Sequence, residues 1–276
     1  MLRIGLILHS RREDALGYAA RIVRYLTKRG ISVCAEDAFA EDVGVTPFSA
    51  VDRADIIVSL GGDGTLLRGV PYALDWKAAL LGINMGRVGF LTEAEPGDIE
   101  AVLEAVIDGE YELDERAVLH VESCGDHWHA LNDVVLSRGG RARLTTISAW
   151  VDGELSGRYV ADGVVVATPT GATGYSLSAG GPIISPKVDC MVITPICAHT
   201  LQHRPTVVHG GAHILLELHP NDMQTASLQV DGRSCMELDS GMRVFIRQDS
   251  RPLRLIRLKP QNFFQLVRDK LMEWTR

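Results

Sequence analysis

The chain has 276 residues, 46% hydrophobic and 23% charged, with 28 basic against 35 acidic side chains and a formal net charge of −7. That acidic balance excludes a surface built to neutralise a phosphate backbone, so no nucleic-acid partner is expected, although a small phosphorylated ligand in a local pocket is compatible with it. No apolar run approaches the roughly 18 residues of a membrane span, and five scattered cysteines without a C-x-x-C pair lead us to expect a reduced, cytoplasmic protein with no structural zinc.

RIGLIL, at the N-terminus, reads as a first strand and not as a signal peptide, because charge follows the short apolar run at once. The next segment places Leu16, Ala19, Val23 and Leu26 at helical spacing and stops at Gly30. ISVCA, ADIIVSL and AALLGIN are apolar runs of strand length. PGDIEAVLEAVIDG opens on Pro96, carries acids in its first turn and stops at Gly109, which predicts a helix. Strands alternating with helices predict an α/β domain whose parallel sheet is flanked by helices.

From Tyr111 the texture changes to strand-like runs with little helical pattern between them: AVLHVES, HWHALNDVVLS, LTTISAWVDGELSGRYV, GVVVAT, MVITPI, AHILLELH and TASLQVDGR. VDGEL and VDGRS place Asp-Gly between such runs, a hairpin signal. A β-rich, sandwich-like second domain is expected over residues 111–251, with one helix around ATGYSLSAGG. The tail adds a strand-like PLRLIRL and a helix spacing Phe264, Val267, Leu271 and Trp274 on one face. That helix is expected to return to the first domain, which would then comprise residues 1–110 plus about 252–276.

Three stretches carry chemistry. In SLGGDGTLLRG, Gly61, Gly62 and Gly64 let a strand-to-helix turn approach a ligand, and amides at the following helix start are a natural phosphate seat. The turn is not a Rossmann fingerprint, since Leu67 stands at the third glycine's place. It is not a P-loop either, since Gly69 is followed by Val70 and Pro71. The plain alternative is a tight turn with Asp63 as an ordinary polar residue near a helix start. In ADGVVVATPTGATGYSLSAGGPI, an apolar strand ends in a cluster of hydroxyls (Thr170, Thr173, Ser176, Ser178) that could bind ribose or phosphate without adding charge, or in part cap a helix. In LNDVVLS, Asn132 and Asp133 offer an amide and an acid to a polar ligand edge, or occupy a hairpin position. HWH (His127, His129) and the pair His199 and His203 lack a third metal ligand at a recognisable spacing, so structural or interface roles are expected. Cys197 reads as packing.

Taken together, these stretches resemble the NAD kinase family. The match runs through GGDGT (61–65), GINMGRVGFLTE (82–93), LND (131–133), Asp162-Gly163, TPTGATGYSLSAGGPI (168–183) and HTLQHRP (199–205), in the family's order and over most of the chain. A lone GGDG turn also occurs in lipid kinases and phosphofructokinases. The resemblance implies phosphorylation of the adenosine 2′-hydroxyl of NAD to NADP, with ATP or polyphosphate as donor and Mg²⁺ or another divalent metal whose ligands stay unassigned. It implies Asp63 as the catalytic acid, and Gly61, Gly62, Gly64 and Thr65 at the donor phosphates. The NAD seat it implies comprises Asp63, Gly64, Arg68, Asn132, Asp133, Arg143, Asp162, Thr173, Gly174, Tyr175, Ser176, Leu177, Ser178 and Arg233. A homodimer or homotetramer is implied as well, with Leu201 contributing at an interface. Departures from the common pattern at Ala172, Gly174, Val160 and Arg233 bear on selectivity between NAD and NADH. A lipid or sugar kinase with the same turn, or an NAD(P) sensor without turnover, are the alternatives.

Overall fold

A computed structural model of the protein describes residues 2–9, 13–85, 89–139, 144–200, 202–220 and 225–273. The chain forms two compact units, one of residues 1–115 with 253–276 and one of residues 116–252.

The first unit begins β1 (Arg3–Leu8), α1 (Glu13–Thr27), β2 (Ser32–Ala35), α2 (Asp37–Val43), β3 (Thr46–Pro47), β4 (Ile56–Leu60), α3 (Asp63–Arg68), α4 (Val70–Trp76), β5 (Ala79–Ile83), α5 (Ile99–Asp108) and β6 (Glu112–Arg116). Helix α1 buries Ala15, Ala19, Ile22 and Leu26, while the predicted Leu16 and Val23 flank that stripe. α5 starts at Ile99, three residues later than expected, because Pro96–Asp98 forms a separate 3₁₀ turn. It ends on Gly109, whose left-handed φ of 76° lets its amide cap Ala105 and Val106. The helix expected after the glycine turn is split in two: Gly69 packs against Leu80 and Ile7, and Pro71 opens α4.

The second unit is built of β7 (Leu119–Ser123), β8 (Asp126–Ala130), β9 (Asp133–Arg138), β10 (Thr145–Val151), β11 (Glu154–Ala161), β12 (Gly163–Ala167), α6 (Tyr175–Ser178), β13 (Cys190–Ile196), β14 (Thr206–His209), β15 (Ile214–Leu218), β16 (Ala226–Val230), β17 (Arg233–Leu238) and β18 (Arg243–Gln248). Two six-stranded sheets, β11-β10-β15-β18-β7-β8 and β14-β13-β12-β9-β16-β17, share one core. Their sequences show the difference between them. β15 alternates buried and half-buried residues and shows water one face, whereas GVVVA and CMVITPI are buried throughout. The second face of β12 and β13 is covered by Ala172 and Ile184 from the connection that follows β12. Both Asp-Gly pairs turn hairpins with positive φ at both residues, and Cys124-Gly125 does the same between β7 and β8. The helix expected around ATGYSLSAGG is only a 3₁₀ turn, Gly171–Thr173, and the single turn of α6.

The chain returns to the first unit as β19 (Leu253–Arg257) and α7 (Phe263–Glu273). The first unit's sheet then reads β3-β2-β1-β4-β5-β19-β6, with parallel pairing from β3 through to β19. On α7, Val267 is buried but Phe264 is 63% exposed. Phe264 therefore departs from the expected apolar face, and the Leu271 side chain and Trp274 lie outside what is described.

Candidate functional site

In the first unit the strand order departs from β1 in both directions, through β2 on one side and β4 on the other. The carboxyl ends of β1 and β4 therefore flank a topological switch point, the usual ligand crevice of an open parallel sheet. Gly61, Gly62 and Asp63 follow β4 directly at that point, and the His9 amide bonds the Leu60 carbonyl at 2.9 Å. Gly61 must be glycine for packing, since a Cβ there would lie 2.2 Å from Thr65 Oγ1. Thr65 is buried against it, so of the four residues expected at the donor phosphates only Gly62 and Gly64 leave open space. α3 has six residues, too few for a large helix dipole, and the anion-binding capacity of the turn rests on local amides.

Asp63 is held by the chain that follows β5. Its Oδ2 accepts from the Phe90 amide at 2.8 Å and its Oδ1 from the Leu91 amide at 3.1 Å. A Cβ on Gly89 would lie 2.0 Å from Asp63 Oδ1, so the motif GINMGRVGFLTE needs that glycine to let the carboxylate in. Each carboxylate oxygen keeps a further lone-pair direction for a ligand. Arg68 is engaged within the same unit: it donates to the Leu8 carbonyl at 3.0 Å and pairs with Glu36.

This carboxylate clamp has a support absent from the sequence reading. Arg257, at the end of β19, is buried and donates to the Leu91 carbonyl at 3.1 Å. It also pairs with Glu93 and Asp114, each at 3.1 Å. Glu93 in turn accepts from the Leu258 and Lys259 amides at 3.0 and 3.1 Å. The only hint in the sequence is the two arginines inside an otherwise apolar strand, PLRLIRL.

In the second unit the organising residue is Asp231, read from sequence only as part of a hairpin. Its carboxylate accepts the amides of Leu131, Asn132 and Asp133 at 2.9, 2.8 and 3.1 Å. Thr168 closes the other side, with Oγ1 donating to the Leu131 carbonyl at 2.6 Å and its amide to the Asn132 carbonyl at 2.9 Å. Gly171 lies so near that a Cβ would sit 2.0 Å from the Asn132 oxygen. Two of the three sequence stretches are thus one packed structure, LND against TPTGATGY. A Cβ on Gly174 would stand 3.8 Å from Asp133 Oδ2.

The hydroxyl cluster divides. Ser176 is fully buried and bonded to Thr194 at 2.8 Å, and Thr173 donates to the Thr170 carbonyl at 3.2 Å; both are structural in this arrangement. Tyr175 and Ser178 are exposed, Leu177 is half-buried, and Arg233 is exposed at the hairpin end. Asp162 pairs with Arg138 at 2.8 Å. Arg143 and Leu201 lie outside the described residues. Burial pushes the Asp133 carboxyl up to about 7, helped by the negative charge of Asp231. Burial likewise raises Asp231 to about 6, against the pull of its three amides. Near neutral pH Asp133 can therefore donate as well as accept, which suits a mixed polar edge.

The histidines fall differently from the sequence pattern. His127 is exposed. His129 sits across the strand pair from His120, and both lie near Asp249. His203 packs edge-on to Tyr159 at 4.9 Å between ring centroids.

Residues 4–111 match the family model described as ATP-NAD kinase N-terminal domain, and residues 131–258 the ATP-NAD kinase C-terminal domain. The chain is 37% identical to an NAD kinase of Geotalea daltonii over 280 residues, 98% of either chain. It is 39% identical to an NAD kinase of Syntrophotalea carbinolica over 283 residues, again 98% of each. Among solved structures it resembles yeast NADH kinase complexed with NADH, with a TM-score of 0.87, 26% identity and coverage of 99% of this chain and 88% of that one. It also resembles an NAD kinase from Archaeoglobus fulgidus in complex with ATP, with a TM-score of 0.75, 27% identity and coverage of 97% and 99%.

Proposed function

The chain belongs to the NAD kinase family, and we propose from that premise that Asp63 receives the adenosine 2′-hydroxyl of NAD and that NADP is the product. The reaction is phosphoryl transfer from ATP to a hydroxyl of NAD. Matches over the full chain remove a lipid or sugar kinase from consideration.

The single observation that carries the role of Asp63 is its clamp by the Phe90 and Leu91 amides at the switch point of the sheet. Phosphoryl transfer passes through a loosely bonded transition state, so positioning and charge neutralisation supply most of the acceleration. A fixed carboxylate accepts the hydroxyl's hydrogen bond, holds its oxygen in line with the donor phosphorus, and takes the proton as the new P–O bond forms and the bond from that phosphorus to the departing ADP breaks. A carboxylate is a weak base toward a ribose hydroxyl, and this puts the weight on orientation. Asn132, Asp133 and the exposed end of TGYSLS supply the seat for NAD in the β-rich unit. The Asp231 bonds and the Gly171 contact support that reading by fixing the backbone there.

A divalent cation fits the donor set only as a companion of the phosphates. Mg²⁺ commonly takes one or two carboxylates together with phosphate oxygens and water, and Asp63 is the carboxylate of this turn. Such a cation offsets the phosphate charge when bound. Polyphosphate as an alternative donor, a homodimeric or homotetrameric state and a cytoplasmic setting complete the proposal. Five free thiols support the last of these.

The test is to incubate the purified protein with NAD, Mg²⁺ and either ATP or polyphosphate, and to detect NADP with an NADP-specific dehydrogenase. NADP formed by the wild type and lost in Asp63→Asn is the expected result. Absence of NADP with every donor would overturn it.

A further inference from the structure

The outer face of the sheet β11-β10-β15-β18-β7-β8 carries a second chemical centre, produced by strand alternation and register. Side chains two apart in a strand share a face, so His120 and Glu122 of β7 point the same way. Register sets His129 of β8 opposite His120, and Arg247 of β18 opposite His120 on the other side. Asp249 lies two residues past Arg247 and so returns to that face just beyond the end of β18.

Three Lewis-basic atoms converge there. His120 Nδ1 is 3.3 Å from His129 Nε2 and 3.9 Å from Asp249 Oδ2, and His129 Nε2 is 3.0 Å from Asp249 Oδ2. Ligand atoms at tetrahedral Zn²⁺, with bonds of about 2.0–2.1 Å, stand about 3.3 Å apart. Among the described residues this is the one trio of histidine, cysteine or acidic side chains so arranged. Its side chains are only 13%, 11% and 6% exposed.

We propose that His120, His129 and Asp249 bind a divalent transition-metal ion of the zinc type, with water in the fourth position. Glu122 orients the site: its carboxylate lies 2.6 Å from His120 Nε2. Accepting the proton there turns the Nδ1 lone pair toward the other two donors, the carboxylate–histidine arrangement that accompanies metal-binding imidazoles. Asp249 is itself oriented by Arg251, whose side chain and amide both donate to its carboxylate.

The same guanidinium engages two of the three donors. Arg251 Nη2 lies 2.9 Å from Asp249 Oδ2 and 3.0 Å from His129 Nε2. Its side chain is 42% exposed, and a metal at the three donors takes the place of Nη2. An open hollow of about 460 Å³ lies beside the trio, lined in part by His120 and Glu122. Two imidazoles and one carboxylate favour Zn²⁺ over Mg²⁺, which prefers oxygen ligands throughout. Bound there, the ion ties the β7–β8 hairpin to the end of β18.

The experiment is calorimetric titration of Zn²⁺ into the chelator-stripped full chain in Mg²⁺-containing buffer, with thermal unfolding and Co²⁺ absorption spectra alongside. One zinc per chain is expected, with a raised Tm and the intense visible bands of low-coordinate Co²⁺. His129→Ala abolishes all three. Glu122→Gln, at a largely exposed side chain, keeps the fold and weakens zinc by about 10–100-fold. Arg251→Ala binds zinc at least as tightly as the wild type. His209→Ala, at a separate exposed histidine, changes nothing. Failure of the stripped wild type to take up zinc overturns the proposal, as does uptake undiminished in either His129→Ala or Glu122→Gln. Should His129→Ala not fold, Glu122→Gln and Arg251→Ala decide the matter.

Discussion

Asp63 and Arg257 meet on one residue: the Leu91 amide donates to Asp63 at 3.1 Å, and the Leu91 carbonyl accepts from Arg257 at 3.1 Å. A side chain 194 positions further along the chain thus braces the peptide that aims the acid. Arg257→Lys keeps the charge but loses the planar fork that reaches Leu91, Glu93 and Asp114 together. The expected outcome is a kcat reduced about tenfold or more with the KM for NAD little changed, read by steady-state NADP formation. Arg257→Ala leaves two carboxylates without their partner and should cost about 3–5 kcal/mol, measured by urea unfolding.

Asp63→Asn should lower kcat by about 10²–10⁴-fold, the range for a positioned acid–base group. The amide also turns one N–H donor toward a backbone N–H, so part of the loss is orientation. Wild-type turnover in this variant, measured in the coupled assay, would remove Asp63 from the mechanism.

Gly89→Ala isolates orientation from chemistry. Its methyl would fall 2.0 Å from Asp63 Oδ1, so the carboxylate must leave its clamp while remaining in the protein. A fall in kcat approaching that of Asp63→Asn is expected, with far-UV circular dichroism unchanged.

Asp231→Ala strips three amides of their acceptor. At about 1–3 kcal/mol for each buried donor left unsatisfied, the variant should be strongly destabilised, and its KM for NAD should rise before kcat falls. Thermal unfolding and NAD titration of the same sample separate the two effects.

Asp133 links stability to pH. Its carboxyl is raised to about 7 by burial and by Asp231, and that of Asp231 to about 6. The folded protein therefore holds protons that the unfolded chain, with aspartate near 3.9, has released. The stability from these groups is fully present below about pH 4 and is lost as pH rises through 6 and 7. Asp133→Asn removes much of that dependence. The Tm difference between variant and wild type should grow in the variant's favour from pH 5 to pH 8, by about 2–4 °C for each kcal/mol recovered. A pH-independent difference would contradict it.

Much of the fold was legible because period and punctuation agree. Ala19 and Leu26 lie on the buried face of α1, Gly109 stops α5, and both Asp-Gly pairs turn hairpins. Short helices were less legible: α4 has seven residues, and α6 is a single turn too short to show a period. Asp63 and the LND turn could be singled out from residue type alone. Their supports could not, since Leu91 acts through its backbone, Arg257 lies far away in sequence, and the role of Asp231 depends on the register of β16 against β9. The metal trio was hidden for the same reason. His120 and His129 become neighbours only across a strand pair, and Asp249 lies 120 positions beyond His129.

β19 lies between β5 and β6 in the first unit's sheet. During synthesis the ribosome releases β5 and β6 long before the strand that joins them, and Arg257 emerges after the whole β-rich unit. The brace on Leu91 is consequently the last part of the Asp63 clamp to be translated. A nascent chain, or one truncated before residue 257, carries every motif of the family and still lacks the part that fixes its acid. The order of the gene thus withholds the finished clamp until the whole β-rich unit has been made.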